Sequence, residues 1–264
     1  MSHLDPIYTA DNCRFRADIR WGVTLFWRVA PAVDLPITTL AECLEPDGIQ
    51  LQSHREVRPA VTQFALTALP HVAPPTIVAR VKGRLQYLLR DVCPKAFQRN
   101  FTLRSFGHIR RQVAEDYVAS QLDHHVMAAE HIQQRFHQYQ IEQPNVDLAQ
   151  PQYSAHGVYW YTLHLVLVHQ QRWNIVDEVV LKRVHDMILS VCRARRFRLS
   201  RGGILADHLH LTMGCPFEQS PVEVALCFLN NLAFAHGMKT VFQYGAYIGT
   251  FGEYDVRSVK GVTL

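Results

Sequence analysis

The chain has 264 residues, 48% of them hydrophobic, which suits one long or two small globular domains and excludes a disordered or fibrous protein. Its formal net charge is only +4, so charge alone marks no nucleic-acid partner. No apolar run is long enough to span a bilayer, and the start, Met1-Ser2-His3-Leu4-Asp5-Pro6, lacks a secretory pattern. Cys13, Cys43, Cys93, Cys192, Cys215 and Cys227 form no Cys-x-x-Cys pair. That excludes a zinc ribbon or disulfide framework and predicts reduced thiols in a cytoplasmic protein.

In chain order, residues 21–29 are aromatic and β-branched and predict a strand; a short helix follows at 37–44. Val61-Thr62-Gln63-Phe64-Ala65-Leu66 predicts another strand, and Pro75 opens a helix-compatible run through Leu89. A strand ends near Gly107. Residues 108–125 contain good helix formers and no breaker, so one helix is expected there. Residues 133–153 are polar and glutamine-rich, with Pro144 and Pro151, and predict a connection. Beyond it come a strand at 158–168, an amphipathic helix at 175–192, two strands, a helix opened by Pro221, and a last strand to Gly252.

Landmarks recur at a nearly constant offset. Gly107 and Gly252 close similar segments 145 residues apart, Pro75 and Pro221 are 146 apart, and Val61 and His208 are 147 apart. Each half therefore predicts βαββαβ, the ferredoxin-like split βαβ pattern. The expected fold class is α+β: two ferredoxin-like domains, antiparallel sheets with helices on one face, forming a pseudo-dimer within one chain. Expected bounds are 1–140 for the first domain, 141–156 for the linker and 157–264 for the second.

The chemistry concentrates in Leu205-Ala206-Asp207-His208-Leu209-His210-Leu211-Thr212-Met213. A strand places His208 and His210 on one face, where two imidazoles can hold a divalent cation that polarises a phosphate oxygen. Asp207 is read as a turn residue. Just upstream, Arg193, Arg195, Arg196, Arg198 and Arg201 fall within nine residues and suit phosphate contacts or a solvated basic edge. Tyr117 and Gln121 are four apart and share a helix face.

These motifs, in this order, resemble the single-tyrosine HUH (His-hydrophobic-His) transposases, including the REP-associated tyrosine transposases, as a tandem fusion of two copies. The resemblance rests on Ala206-Asp207-His208-Leu209-His210, Lys82-Gly83-Arg84, Ser105-Phe106-Gly107 with Thr250-Phe251-Gly252, and Tyr117-Val118-Ala119-Ser120-Gln121 followed by His124-His125. It covers most of the chain, but with departures. The first half has Val61-Thr62-Gln63 where the histidine pair belongs, and the second has Val262 where the tyrosine belongs. The resemblance therefore implies one composite site, with His208 and His210 from the second half and Tyr117 and Gln121 from the first. It implies a Mg²⁺ or Mn²⁺ cofactor held by His208, His210 and Gln121, or by His124 or His125 in place of Gln121. Tyr117 would attack a phosphodiester of single-stranded or hairpin DNA to give a 5′-phosphotyrosine link. Lys82, Arg84, Arg110 and Arg111 would join the arginine cluster in holding DNA, with Trp173, Tyr244 or Tyr247 stacking on bases. No membrane partner is expected, and the chain should act as a monomer, an intramolecular pseudo-dimer, with further association of fused chains left open.

Two rival readings share these residues. One is a domesticated, catalytically inactive DNA-binding protein. The other takes His210-Leu211-Thr212 as half of a two-histidine phosphoesterase, but the other half lacks a matching His-x-Thr or His-x-Ser. A zinc hydrolase would need a His-Glu-x-x-His motif or a cysteine set, and neither is present.

Overall fold

The computed structural model describes residues 5–30, 34–125, 127 and 129–257. The chain opens with β1 (Arg14–Asp18) and β2 (Arg20–Trp27), then α1 (Ile37–Leu44), β3 (Ile49–Arg58), β4 (Val61–Ala68), α2 (Pro74–Leu88) and β5 (Phe97–Phe106). Three helices follow, α3 (Arg111–Ala119), α4 (Gln121–His124) and α5 (Glu130–Gln138), then the short strands β6 (Ile141–Glu142) and β7 (Gln152–Tyr153). The rest is β8 (Gly157–Trp160), β9 (Thr162–Val168), α6 (Glu178–Arg195), β10 (Arg198–Ile204), β11 (His208–Gly214), α7 (Pro221–His236) and β12 (Gly245–Thr250). This is the expected α+β class.

Two six-stranded sheets result. Sheet A runs β1-β12-β9-β11-β10-β6 and sheet B runs β3-β4-β2-β5-β8-β7. Within each, four strands of one half are antiparallel in the same relative order, β12-β9-β11-β10 in A and β5-β2-β4-β3 in B. The register places His208 and His210 of β11 where β4 has Val61 and Gln63.

The outer strands are exchanged. β1 pairs parallel with β12, so a strand of the first half completes sheet A. β8 pairs parallel with β5, so a strand of the second half completes sheet B. Each exchanged strand runs into its own sheet through one buried residue, Ile19 before β2 and Tyr161 before β9. Sequence periodicity reads 158–168 as a single strand and misses β1, because a strand that changes sheets keeps its alternation. The expected linker is also built into the sheets: β6 pairs with β10 and β7 with β8.

Alternation fixes the faces. Trp21, Val23, Leu25 and Trp27 of β2 are fully buried on the side covered by α1 and α2, as are Leu163, Leu165 and Leu167 of β9 on the side of α6 and α7. Each such side chain contributes about 1.5–3 kcal/mol relative to exposure. The helix starts match their sequence signals. α7 opens with a Ser220–Glu223 capping box and Pro221, and α6 opens with Asp177 accepting from the Val180 backbone N–H. Among the described residues no helix is long and apolar enough to cross a membrane.

Candidate functional site

The opposite face of sheet A is where the halves meet. α3 leaves β5 of the first half and lies across β10 and β11 of the second. Close approach is possible because β10 has Gly203 there: a Cβ at that position would stand 3.3 Å from the Val118 carbonyl oxygen and 3.4 Å from the Val118 side chain. The helix expected over 108–125 is broken at Ser120. Its hydroxyl and the Gln121 amide both donate to the Tyr117 carbonyl, at 3.3 and 3.2 Å, ending α3 before α4 begins.

This docking brings Tyr117 onto the histidine strand. Its ring centroid is 5.6 Å from that of His210 in an edge-on arrangement, while the side chain stays 46% exposed. His208 and His210 lie side by side with centroids 5.0 Å apart, and the His125 ring stands edge-on to His208 at 5.1 Å. Gln121 is buried, with its amide nitrogen on the Tyr117 carbonyl. Val262 lies outside the described residues.

Two groups orient the imidazoles. The His208 Nδ1–H donates to the Asp207 carboxylate at 2.5 Å, and Arg172 donates to the other carboxylate oxygen at 2.9 Å. Asp207 thus sits in the turn, as expected, but it also holds the His208 ring. His164 of β9 shares a hydrogen bond between its Nε2 and the His210 Nδ1 at 3.0 Å, one ring donating to the other. Burial pushes His164 down to about 4 and His210 down to about 2, the latter with help from the neighbouring His164 and His208. Burial also lowers His208, against the pull of Asp207. All three rings are therefore neutral near neutral pH, the form that offers a lone pair to a cation.

Among the described residues no three His, Cys, Asp or Glu side chains form a metal-ligand group. The donor set still fits a hard divalent ion. The Asp207 bond directs the free lone pair of His208 to Nε2, a carboxylate–histidine arrangement of the kind that supports metal ligands. Gln121 spends its amide nitrogen on Tyr117, so its amide oxygen is the atom it can offer. Two imidazoles and an amide oxygen leave positions for water and phosphate oxygens, which suits Mg²⁺ or Mn²⁺.

The expected DNA-binding residues fall elsewhere and are mostly engaged. Lys82 donates to the carbonyls of Gln98 and Arg99, and Arg84 pairs with Asp47 at 3.0 Å. Arg110 pairs with Asp255, and Arg111 with Glu115 and Glu253. Arg198 donates to the carbonyls of Gln150 and Asp147, and Arg201 pairs with Glu142 at 2.9 Å. Arg193, Arg195 and Arg196 are exposed at the end of α6, across sheet A from Tyr117. Of the aromatics, Tyr247 stands edge-on to His164 at 6.0 Å, whereas Trp173 and Tyr244 are exposed outside this cluster. Three residues at the site escaped sequence reasoning: Arg172, which holds Asp207, His164 and Arg16. His164 was signalled only by being polar within an apolar strand, and Arg16 of β1 pairs in register with Tyr247 only because of the strand exchange.

The fold and the site define a ferredoxin-like α+β protein with a tyrosine helix docked over paired, neutral histidines. Residues 157–229 match the family model of IS200-like transposases; the match includes His208 and His210 but stops outside Tyr117. Among solved structures, the chain is similar to a REP-associated tyrosine transposase bound to a REP hairpin, at 15% identity and a TM-score of 0.31, covering 39% of this chain. This chain spans 62% of that protein's length. It is also similar to the regulatory subunit of aspartate kinase from Thermus thermophilus, at 9% identity and a TM-score of 0.19, covering 82% of this chain and 92% of that one. No curated protein matches it in sequence.

Proposed function

We propose that the chain is a single-strand DNA transesterase of the HUH transposase type, with one composite active site made from two fused, complementary copies. The observation that carries this reading is the meeting of Tyr117, from the first half, with His210, from the second, at 5.6 Å between rings. The IS200-like match over the histidine strand supports it, as do the common strand order and the reciprocal exchange of β1 and β8.

His208, His210 and Gln121 would hold a Mg²⁺ or Mn²⁺ ion, which when bound neutralises charge on the non-bridging oxygens of a phosphodiester. Asp207 and His164 keep the two ligand rings turned, and burial keeps them neutral. The half-exposed Tyr117 meets a DNA strand from solvent, and its phenolic oxygen attacks phosphorus in line. A tyrosyl O–P bond forms as the bond from phosphorus to the 3′ oxygen breaks. The phenol gives up one proton and the departing 3′ oxygen takes one up. The products are a 5′-phosphotyrosyl link and a free 3′-hydroxyl, with the ester energy kept for rejoining. Arg16, exposed and in register with Tyr247, supplies charge for a flanking phosphate.

The test is a covalent-adduct assay on single-stranded and hairpin oligonucleotides with Mn²⁺. The wild type should give a protein–DNA band resistant to denaturation, and Tyr117→Phe none. An adduct that persists in Tyr117→Phe would exclude this nucleophile. A wild type that binds DNA but never forms an adduct would favour an inactive, DNA-binding descendant, the reading favoured by the loss of the first histidine pair at Val61 and Gln63.

A further inference from the structure

Sheet B has the same two faces as sheet A, but they are dressed differently. α1 and α2 cover one. On the other, where α3 lies over sheet A, no helix of the described residues is docked in that way, and Thr24, Gln63, Thr102, Arg104 and Trp160 are all partly accessible. Register sets them side by side: Thr24 opposite both Gln63 and Thr102, Gly22 opposite Arg104, and Arg104 opposite Trp160. Gly22 stands where sheet A has His164; it is buried, and a Cβ there would be in ordinary contact with the Gln63 amide at 3.8 Å, so the floor of this face carries no side chain of its own.

The chemistry of this face is one-sided. Arg55 is exposed and donates to Gln63 at 2.8 Å. The Arg104 guanidinium lies 3.4 Å over the Trp160 ring and 5.9 Å from the Tyr254 ring, and the side chain stays partly accessible. By alternation, no Asp or Glu among the described residues of β2 to β5 and β8 points out of it. Glu56 pairs with Thr62, whose hydroxyl faces the helix side, where it accepts from Trp27. Glu253, within electrostatic reach of Arg104, is bound by Arg111. Cations, amides and hydroxyls around an aromatic plane, without carboxylates, complement a phosphate backbone with unpaired bases. A duplex would present its bases already stacked, leaving Trp160 unused. Trp160 and His164 lie on one side of the chain running from β8 into β9, about 13 Å apart at strand rise.

We propose that this face of sheet B, with Gly22 as its floor and Arg55, Gln63, Thr102, Arg104 and Trp160 around it, is a metal-independent platform for single-stranded DNA. It needs no histidine, no metal and no tyrosine, so it stands whether or not the chain cleaves DNA. The absence of the histidine pair from the first half then reads as a change from chemistry to holding.

The test is fluorescence anisotropy of a labelled single strand of roughly 15 nucleotides, in EDTA, with the full chain carrying Tyr117→Phe and His208→Ala so that the sheet A site is silent. Binding should persist, weaken with added salt, and fall about tenfold with Arg55→Glu or Trp160→Ala. Gln63→Glu, which adds a carboxylate to the partly accessible face, should weaken binding in the same direction and guards against misfolding of the Trp160 variant. Loss of binding in EDTA would overturn the platform, as would Arg55→Glu and Gln63→Glu proteins that bind like their parent. Tighter binding of the matching RNA strand or of blunt duplex would overturn the assignment to single-stranded DNA. Failure of the adduct assay would leave every one of these readouts unchanged.

Discussion

Asp207 illustrates how little sequence is needed to turn a strand histidine into an oriented ligand. It is the residue before β11, and its carboxylate holds the His208 Nδ1–H while itself being held by Arg172. Removing it leaves the ring free to rotate and free to carry its proton on the wrong nitrogen. On the proposed reading, Asp207→Ala should lower Mn²⁺ affinity and cleavage by about 10–100-fold, by titration calorimetry and adduct yield, with an unchanged circular dichroism spectrum. Unchanged metal affinity would mean that the carboxylate serves the turn alone. His164 plays the parallel role for His210, and the two orienting groups come from different elements. A single change at either should therefore impair one ring and leave the other in place.

Among elements, α3 matters most, because it is the only route by which Tyr117 reaches β11. Gly203 sets how close it can lie. Gly203→Leu should lift α3 from β10, seen as faster amide exchange across 111–124 and a loss of adduct formation, while sheet A keeps its protection. Normal exchange in that segment would show that the helix docks without the glycine. The same region marks the boundary of what the chain's pattern discloses. The strands and helices that obey a simple period are legible: 37–44 and the helices opened by Pro75 and Pro221 lie where periodicity and capping place them. Tyr117, Gln121, His208 and His210 are legible as residue types with a spacing. The break at Ser120 is not, because side-chain bonds to the Tyr117 carbonyl compete with helix formation without changing the apolar pattern. β1 is not either, since its partner lies more than two hundred residues away and nothing local records the pairing. Most of the basic residues that looked like phosphate contacts are instead bound to carboxylates and carbonyls, because charge in a sequence does not say what satisfies it. Arg104, absent from that expectation, is laid over the Trp160 ring.

For the whole molecule, the exchange of β1 and β8 makes each sheet depend on both halves. Both exchanged pairings involve a glycine held against its partner. A Cβ on Gly245 would stand 2.1 Å from the Arg14 carbonyl oxygen, and one on Gly157 would stand 2.2 Å from the Phe101 ring. Gly157→Ala and Gly245→Ala should each cost roughly 1–3 kcal/mol in urea unfolding, although they lie in different sheets. Wild-type unfolding followed by far-ultraviolet circular dichroism, which reports both sheets, and by tryptophan emission, which is weighted to Trp21 and Trp27 of sheet B, should give coincident curves. Two separated transitions would mean that the halves are independent bodies joined by a tether.

A crossed pair of strands also changes what a cut in the backbone can do. Protease nicking near residues 143–151 would leave two fragments still clasped, since each keeps an arm inside the other's sheet. The joint survives its own hinge pin. Expressed as two separate polypeptides, such pieces should find one another and rebuild the shared site, whereas either piece alone would have an open sheet edge and no mate for it.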